Sequence, residues 1–245
     1  MERQLHPNIS VDCVIFGFDF EKLNVILVER QLIDPKTGEQ IISDYTLAGN
    51  HILLDEQLED AAKRVLHDLT GLENIYLEQF MTIGEPSRLM NERDQLWLKK
   101  TGKNPKERVI SVCYFSLLNC LEVKLKPTQR TVDWCPVGEA NNLAFDHETI
   151  LKTALESLQR KLQFEPIGFE MLPDKFTLSQ LQKLYEVVFD VEFDKRNFRK
   201  KVSKMKYLIP LDEKQKGVSH KPARYYTFSR EVYEKTRSDM LNFSI

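Results

Sequence analysis

The sequence predicts an α/β protein with a C-terminal winged helix-turn-helix, on three observations. β-rich runs and helical patterns alternate through the first 163 residues. Gly49 to Leu72 reads as a loop, an amphipathic helix and a second loop. Beyond a junction holding two prolines and a glycine come a capped helix, a basic helix and a two-stranded ribbon.

The elements follow in chain order. Val11 to Asp19 and Asn24 to Arg30 are β-rich runs joined by a short polar turn, as in a hairpin. Gln31 to Asp44 is a polar loop that ends at the short run Tyr45 to Ala48. After a turn at Gly49 and Asn50, Leu58, Ala62, Val65 and Leu69 recur at helical intervals. Gly71 stands where a left-handed cap closes a helix. Ile75 to Gly84 and Val109 to Asn119 are strands. Between them, Glu85 to Arg108 is a charged insertion with Trp97 and Gly102, too polar for a core; loops of this length are functional or mobile. A last strand spans Val132 to Val137, and a helix runs from Glu148 to Leu162 with Ile150, Leu151, Ala154, Leu155 and Leu158 on one side. Phe164 to Pro173 is a linker, which sets the domains at 1–163 and 164–245.

Composition narrows the class. Hydrophobic residues at 42% and charged residues at 29% are ordinary for a globular protein. The start MERQLHPNIS has no apolar core of signal-peptide type and no run approaches a membrane span, so a cytoplasmic protein without a membrane partner is expected. Cys13, Cys113, Cys120 and Cys135 show no C-x-x-C spacing and read as thiols in a reducing compartment, not as metal ligands. The net charge of −2 conceals segregation: residues 194–230 hold twelve Lys or Arg against three acids, or +9, leaving −11 for the rest. That asymmetry points to a polyanionic partner for the C-terminal part.

The C-terminal pattern says which partner. Thr177 and Gln180 have capping-box spacing, and Leu178, Leu181, Leu184, Tyr185 and Val188 follow in helical order. Asp194 is an N-cap for a second helix with Phe198, Val202 and Met205 on its inner stripe. An α-helix fits the DNA major groove and brings its first turn to the base edges. Lys195, Arg196, Asn197 and Arg199 are therefore candidates for base readout, and Lys200, Lys201 and Lys204 for phosphate contacts. Lys216, His220, Lys221 and Arg224 place further cations in the ribbon, within reach of the backbone or minor groove.

The stretch from Asn50 to Leu72 resembles the Nudix box, G-x5-E-x7-R-E-U-x-E-E-x-G-U with U aliphatic. Glu56, Arg64, Leu66, Gly71 and Leu72 match the pattern, and Asn50 replaces its first glycine. The resemblance implies an α/β/α sandwich around a mixed sheet. In active members the box glutamates hold divalent metal, which wants oxygen ligands. Here Val65 stands at the glutamate after the arginine and Asp68-Leu69 at the Glu-Glu pair, so a protein without metal, cofactor or hydrolytic activity is expected.

A degraded box followed by FTLSQLQKLYE and DKRNFRKK, with LAFDH at 143–147 and FEPIGFEMLP at the junction, resembles the NrtR-like Nudix-related transcriptional regulators along nearly the whole chain. The resemblance implies a homodimer on palindromic double-stranded operator DNA, with a small-molecule effector in the Nudix domain. One branch of such regulators responds to pentoses, and this sequence looks most like it. A repressor induced by L-arabinose is accordingly expected, with Asp12, Phe16, Arg30, Asn50 and His51 lining the effector pocket. The alternatives are a regulator sensing ADP-ribose or another NAD metabolite, and an active Nudix hydrolase.

Overall fold

The structure is a computed structural model and describes residues 4–126, 130–219 and 221–236. The chain divides into two compact units, one built from the chain up to Ser157 and the other from Leu158 onward, the latter also taking in residues 18–23 and 117–122.

The first unit is organised on a seven-stranded sheet with the order β3-β2-β1-β6-β5, β4 pairing with β1 and β7 with β2. The strands β1 (Leu5–Phe18) and β2 (Leu23–Ile33) are longer than the apolar runs that announce them. Their centres are buried on both faces, so Val11 to Phe18 and Leu23 to Val28 form the core without alternation. β3 (Gln40–Thr46) occupies the expected polar loop. It alternates, with Ile42, Asp44 and Thr46 inside and Ile41, Ser43 and Tyr45 outside, as in a strand covered on one face.

β4 (Ala48–Leu53) replaces the expected turn at Gly49 and Asn50 and pairs antiparallel with β1, Gly49 opposite Asp12. Helix α1 (Leu58–Thr70) follows, ended by Gly71 at φ +72°, the left-handed cap that the sequence predicts. Its buried face is Ala61, Ala62, Val65, Leu66 and Thr70, while Leu58 and Leu69 are half-buried. The apolar stripe read from the sequence is thus rotated by about one residue.

β5 (Glu78–Ile83) pairs with β6 (Ile110–Asn119). The insertion between them is ordered by α2 (Glu92–Lys100), whose N-cap Asn91 accepts the Arg93 N–H through its side chain. Asp94 and Leu98 are buried, which corrects the expectation that this segment is too polar to contribute to a core. β7 (Val132–Pro136) pairs with β2, and the first part of α3 (His147–Phe164), up to Ser157, ends the unit.

The second unit begins within α3, not at its end. Leu158 and Leu162 are buried, the Gln159 side chain donates to the Val188 carbonyl, and Leu162 packs against Gly168, where a Cβ would lie 2.7 Å from the leucine methyl. The expected linker is also part of this unit: Ile167–Met171 is a 3-10 turn with Phe169 and Met171 buried. The strand β8 (Phe176–Thr177) leads into α4 (Leu178–Phe189) through the predicted capping box, with Thr177 and Gln180 each bonding the other's backbone N–H. Asp190 at φ +53° ends α4, and α5 (Lys195–Val202) starts at the predicted N-cap Asp194, which accepts the Asn197 N–H at 2.8 Å. β9 (Leu208–Lys214), β10 (Arg224–Phe228) and β8 make a three-stranded sheet, order β8-β10-β9, followed by α6 (Arg230–Thr236). Phe169 stacks on Phe228 with ring centres 4.6 Å apart, joining the 3-10 turn to the ribbon. The outcome is an α/β domain followed by a winged helix-turn-helix, as predicted.

Candidate functional site

The first unit holds a cavity of about 530 Å³ between the box and the insertion. β1 contributes Ser10 and Asp12, and β4 contributes Gly49, Asn50 and His51. The insertion adds Arg88, Trp97 and Lys103, Phe145 comes from the segment before α3, and His147 is the first residue of α3. Four of the five expected effector residues, Asp12, Arg30, Asn50 and His51, line it. Phe16 does not: β1 is buried on both sides there, and the cavity reaches only as far along the strand as Asp12.

Arg30 is a structural pillar as well as a lining residue. It is 1% exposed, and its Nε and Nη2 each donate to Asp44 at 2.6 Å while Nη1 donates to Asp94 at 2.7 Å. Its guanidinium lies over Trp97 and Phe145, 5.2 and 4.9 Å from the ring centres. Asp94 also accepts the Phe145 N–H at 3.1 Å, which anchors Phe145 in the left-handed region at φ +59°. Arg88 makes a bidentate pair with Asp146 at 2.8 and 2.7 Å. Two buried ion pairs therefore pin the insertion against the rest of the unit.

The box residues are engaged with one another. Arg64 donates to both carboxylate oxygens of Glu56, at 2.6 and 2.8 Å, and approaches Asp68 at 3.6 Å. Val65 and Leu69, at the positions of box glutamates, present hydrocarbon to the cavity. Among the described residues there is no group of three His, Cys, Asp or Glu placed to hold a metal ion.

Two cations stand apart from these pairs. Lys103 is half-buried, its Nζ 3.4 Å from Asn50 Oδ1, and Arg130 lies over the second approach to Trp97, 5.5 Å from the ring centre, at the exposed rim. Among the described residues no carboxylate lies within ion-pairing distance of either. Burial, and then the neighbouring Arg130, push the Lys103 amine below its usual pKa, and partial burial and Arg30 lower Arg130. Two like charges thus face one cavity, and Asp12, which also lines it, acts on Lys103 from beyond ion-pairing distance. Sequence reasoning missed Lys103, Arg130, Trp97 and His147 as lining residues. They come from the insertion, from the segment before β7 and from the LAFDH stretch, far apart in the chain, and no local spacing links them.

His51 Nδ1 donates to the His6 carbonyl at 2.9 Å, and burial followed by Lys103 lowers its pKa. His147 is buried and its Nδ1 accepts the Leu47 N–H at 2.9 Å, which places the ring proton on Nε2. Burial lowers its pKa as well.

In the second unit, Lys195, Arg196, Asn197, Arg199, Lys200, Lys201 and Lys204 are all exposed, while Phe198 and Val202 face inward. The turn before α5 is fixed by Gln182, which donates to the Phe193 carbonyl, and by Glu186, which accepts the Phe193 N–H. In the wing, Lys216 and Lys221 are exposed and Lys214, missed in the sequence, stands opposite Arg224. Arg224 is tied down locally, donating to the Leu211 carbonyl at 2.6 Å and to Asp212 at 2.9 Å, so it braces the ribbon instead of offering a free cation. His220 lies outside the described residues.

Residues 168–228 match the family described as the NrtR DNA-binding winged helix domain. The ADPR responsive transcriptional repressor NtrR of Acinetobacter baylyi is 27% identical over 243 residues, covering 97% of this chain and 88% of the relative. The chain is thus similar to NrtR-type regulators along nearly its whole length. A crystal structure of Shewanella oneidensis NrtR with a 27mer DNA superposes with a TM-score of 0.67 at 25% identity, over 92% of this chain and 95% of that one. A MutT/nudix family protein from Enterococcus faecalis shares the fold, with a TM-score of 0.65 at 20% identity over 94% and 89% of the two chains. None of these comparisons supports the pentose-responsive branch over the NrtR type, and the ADP-ribose alternative fits them better. Among the described residues no helix is long and apolar enough to cross a membrane.

Proposed function

We propose that this NrtR-like protein is a DNA-binding transcriptional repressor whose Nudix-like cavity binds an anionic nucleotide-sugar of the ADP-ribose class and does not hydrolyse it. The observation that carries the effector class is the pair Lys103 and Arg130, which face a 530 Å³ cavity beside Trp97 with no carboxylate at ion-pairing distance among the described residues, Asp12 acting on Lys103 only from further off. A diphosphate supplies the missing charge, and an indole face suits a purine or sugar ring. The volume lies within the range of about 300–1,000 Å³ usual for ligand pockets. A free pentose would leave both cations unmatched. The name of the Acinetobacter relative, an ADPR responsive repressor, supports the same class.

The box supports the non-hydrolytic reading. Val65 and Leu69 offer metal no oxygen, and Glu56 is held by Arg64. The exposed cations of α5, with Lys216 and Lys221 in the wing, form the operator-binding surface. The effector alters operator affinity by binding one conformation of the protein more tightly than another, and by no more than that difference. Calorimetric titration with ADP-ribose, ADP, NAD and L-arabinose tests the reading. ADP-ribose is expected to bind, and L-arabinose is not. Binding confined to L-arabinose overturns the effector class, and Mg²⁺-dependent turnover of ADP-ribose overturns the non-hydrolytic reading.

A further inference from the structure

Asp12 and His147 are two cavity groups that the anion reading leaves unused. Both are 5% exposed and both line the cavity. Among the described residues the Asp12 carboxylate accepts no hydrogen bond, and its Oδ1 stands 3.6 Å from His147 Nε2, beyond hydrogen-bonding range. Since His147 Nδ1 accepts from the Leu47 backbone, the Nε2–H is a donor with no protein acceptor among the described residues. Among the described residues no side-chain N or O atom is both fully buried and unpartnered, so these two groups meet the cavity surface, where a hydroxyl-bearing ligand can replace solvent as their partner.

The backbone is shaped around this pair. Gly49 lies opposite Asp12 across the β1–β4 ladder, and a Cβ there would sit 2.0 Å from Asp12 Oδ1. The absence of a side chain on Gly49 gives the carboxylate its place. His147 is fixed by the Leu47 N–H in the same segment.

We propose that Asp12 and His147 form a diol-reading subsite that takes adjacent hydroxyls of the effector's sugar. One hydroxyl donates to the Asp12 carboxylate and its neighbour accepts from His147 Nε2–H. Adjacent hydroxyls are spaced closely enough to reach both atoms by nearly parallel bonds. Phosphate does not fit here, because the carboxylate repels it, so the subsite orients the ligand: phosphates toward Lys103 and Arg130, a vicinal diol toward Asp12 and His147. This rests on the effector class proposed above and adds its orientation and its requirement for a free diol.

The test crosses changes in the protein with changes in the ligand. D12N keeps the shape of the side chain, and H147N keeps an acceptor for the Leu47 N–H while removing the Nε2 donor. Wild type and both variants are titrated with ADP-ribose, with ADP-ribose lacking one 2′-hydroxyl on either ribose, with ADP, and with L-arabinose, after apo melting confirms folding. Wild type should lose about tenfold or more in affinity for one deoxy analogue, as expected for a charge-assisted hydrogen bond. Each variant should lose a similar factor for ADP-ribose and no longer distinguish it from that analogue. Affinities in the variants within about twofold of wild type, or equal losses for every ligand, overturn the subsite. If nucleotides fail to bind wild type while L-arabinose binds and D12N abolishes it, the diol subsite stands and the ADP-ribose reading falls. No binding by any ligand overturns both.

Discussion

Replacing Asp94 with alanine removes the carboxylate through which the insertion is joined to the sheet. One Asp94 oxygen accepts from Arg30 Nη1 at 2.7 Å and the other from the Phe145 N–H at 3.1 Å, with Arg30 and Asp94 1% and 3% exposed. Loss of a charged hydrogen bond costs about 1.5–3 kcal/mol, and a buried N–H left without an acceptor adds about 1–3 kcal/mol. Arg30 keeps its two bonds to Asp44, which limits the total to about 3–5 kcal/mol, the range for breaking a buried ion pair. At a urea m-value of about 1–3 kcal/mol per M, the unfolding midpoint falls by about 1–5 M. Trp97 lies over Arg30, so tryptophan fluorescence follows the transition. D94N, which can still accept the Phe145 N–H, should lose about half as much. A D94A loss below about 1 kcal/mol would refute the view that this pair holds the insertion in place.

Three further outcomes follow from the geometry. The half-buried His51 and the buried His147 both have pKa values lowered in the folded state, so the unfolded chain binds more protons as pH falls below the ordinary value of 6.5. Stability is therefore full above about pH 6.5 and declines below it; urea midpoints between pH 8 and 5.5 should show this, with a shallower slope in H147N. G49A places a methyl against Asp12 and should cost about 1–3 kcal/mol by overpacking, whereas G49A combined with D12A should cost less than the sum of the single changes. On operator DNA, K200A should weaken binding evenly across sequences and reduce the slope of log affinity against log salt by about 1, whereas R196A should relax preference at one base pair. A gel-shift series over salt and operator variants separates the two.

What the sequence discloses depends on how local each signal is. The capping box at Thr177 and Gln180, the N-cap Asp194 and the cap at Gly71 are legible because a few adjacent residues decide them. The cations of α5 are legible because buried Phe198 and Val202 fix which face of a short helix turns out. β3 was hidden because its inward Asp44 carries charge, and only the distant Arg30 explains a buried carboxylate there. The insertion read as too polar for the same reason: Asp94 and Arg88 are buried by pairing with Arg30 and Asp146, and pairing across 64 and 58 residues leaves no mark on local periodicity. Asp12, Asn50 and His51 share one cavity lining because the box segment β4 pairs with β1, a convergence that the motif implies. Phe16 lies off the cavity lining, and since β1 is buried on both faces it carries no alternation to show where the cavity stops.

The most direct measurement is the affinity of the protein for its operator as ADP-ribose is titrated, in wild type and in a K103A/R130A double variant. Saturating ADP-ribose should weaken operator binding by wild type, leave the double variant's binding unchanged, and not be matched by L-arabinose. Operator affinity indifferent to ADP-ribose in wild type, or an equal response in the double variant, would contradict the account.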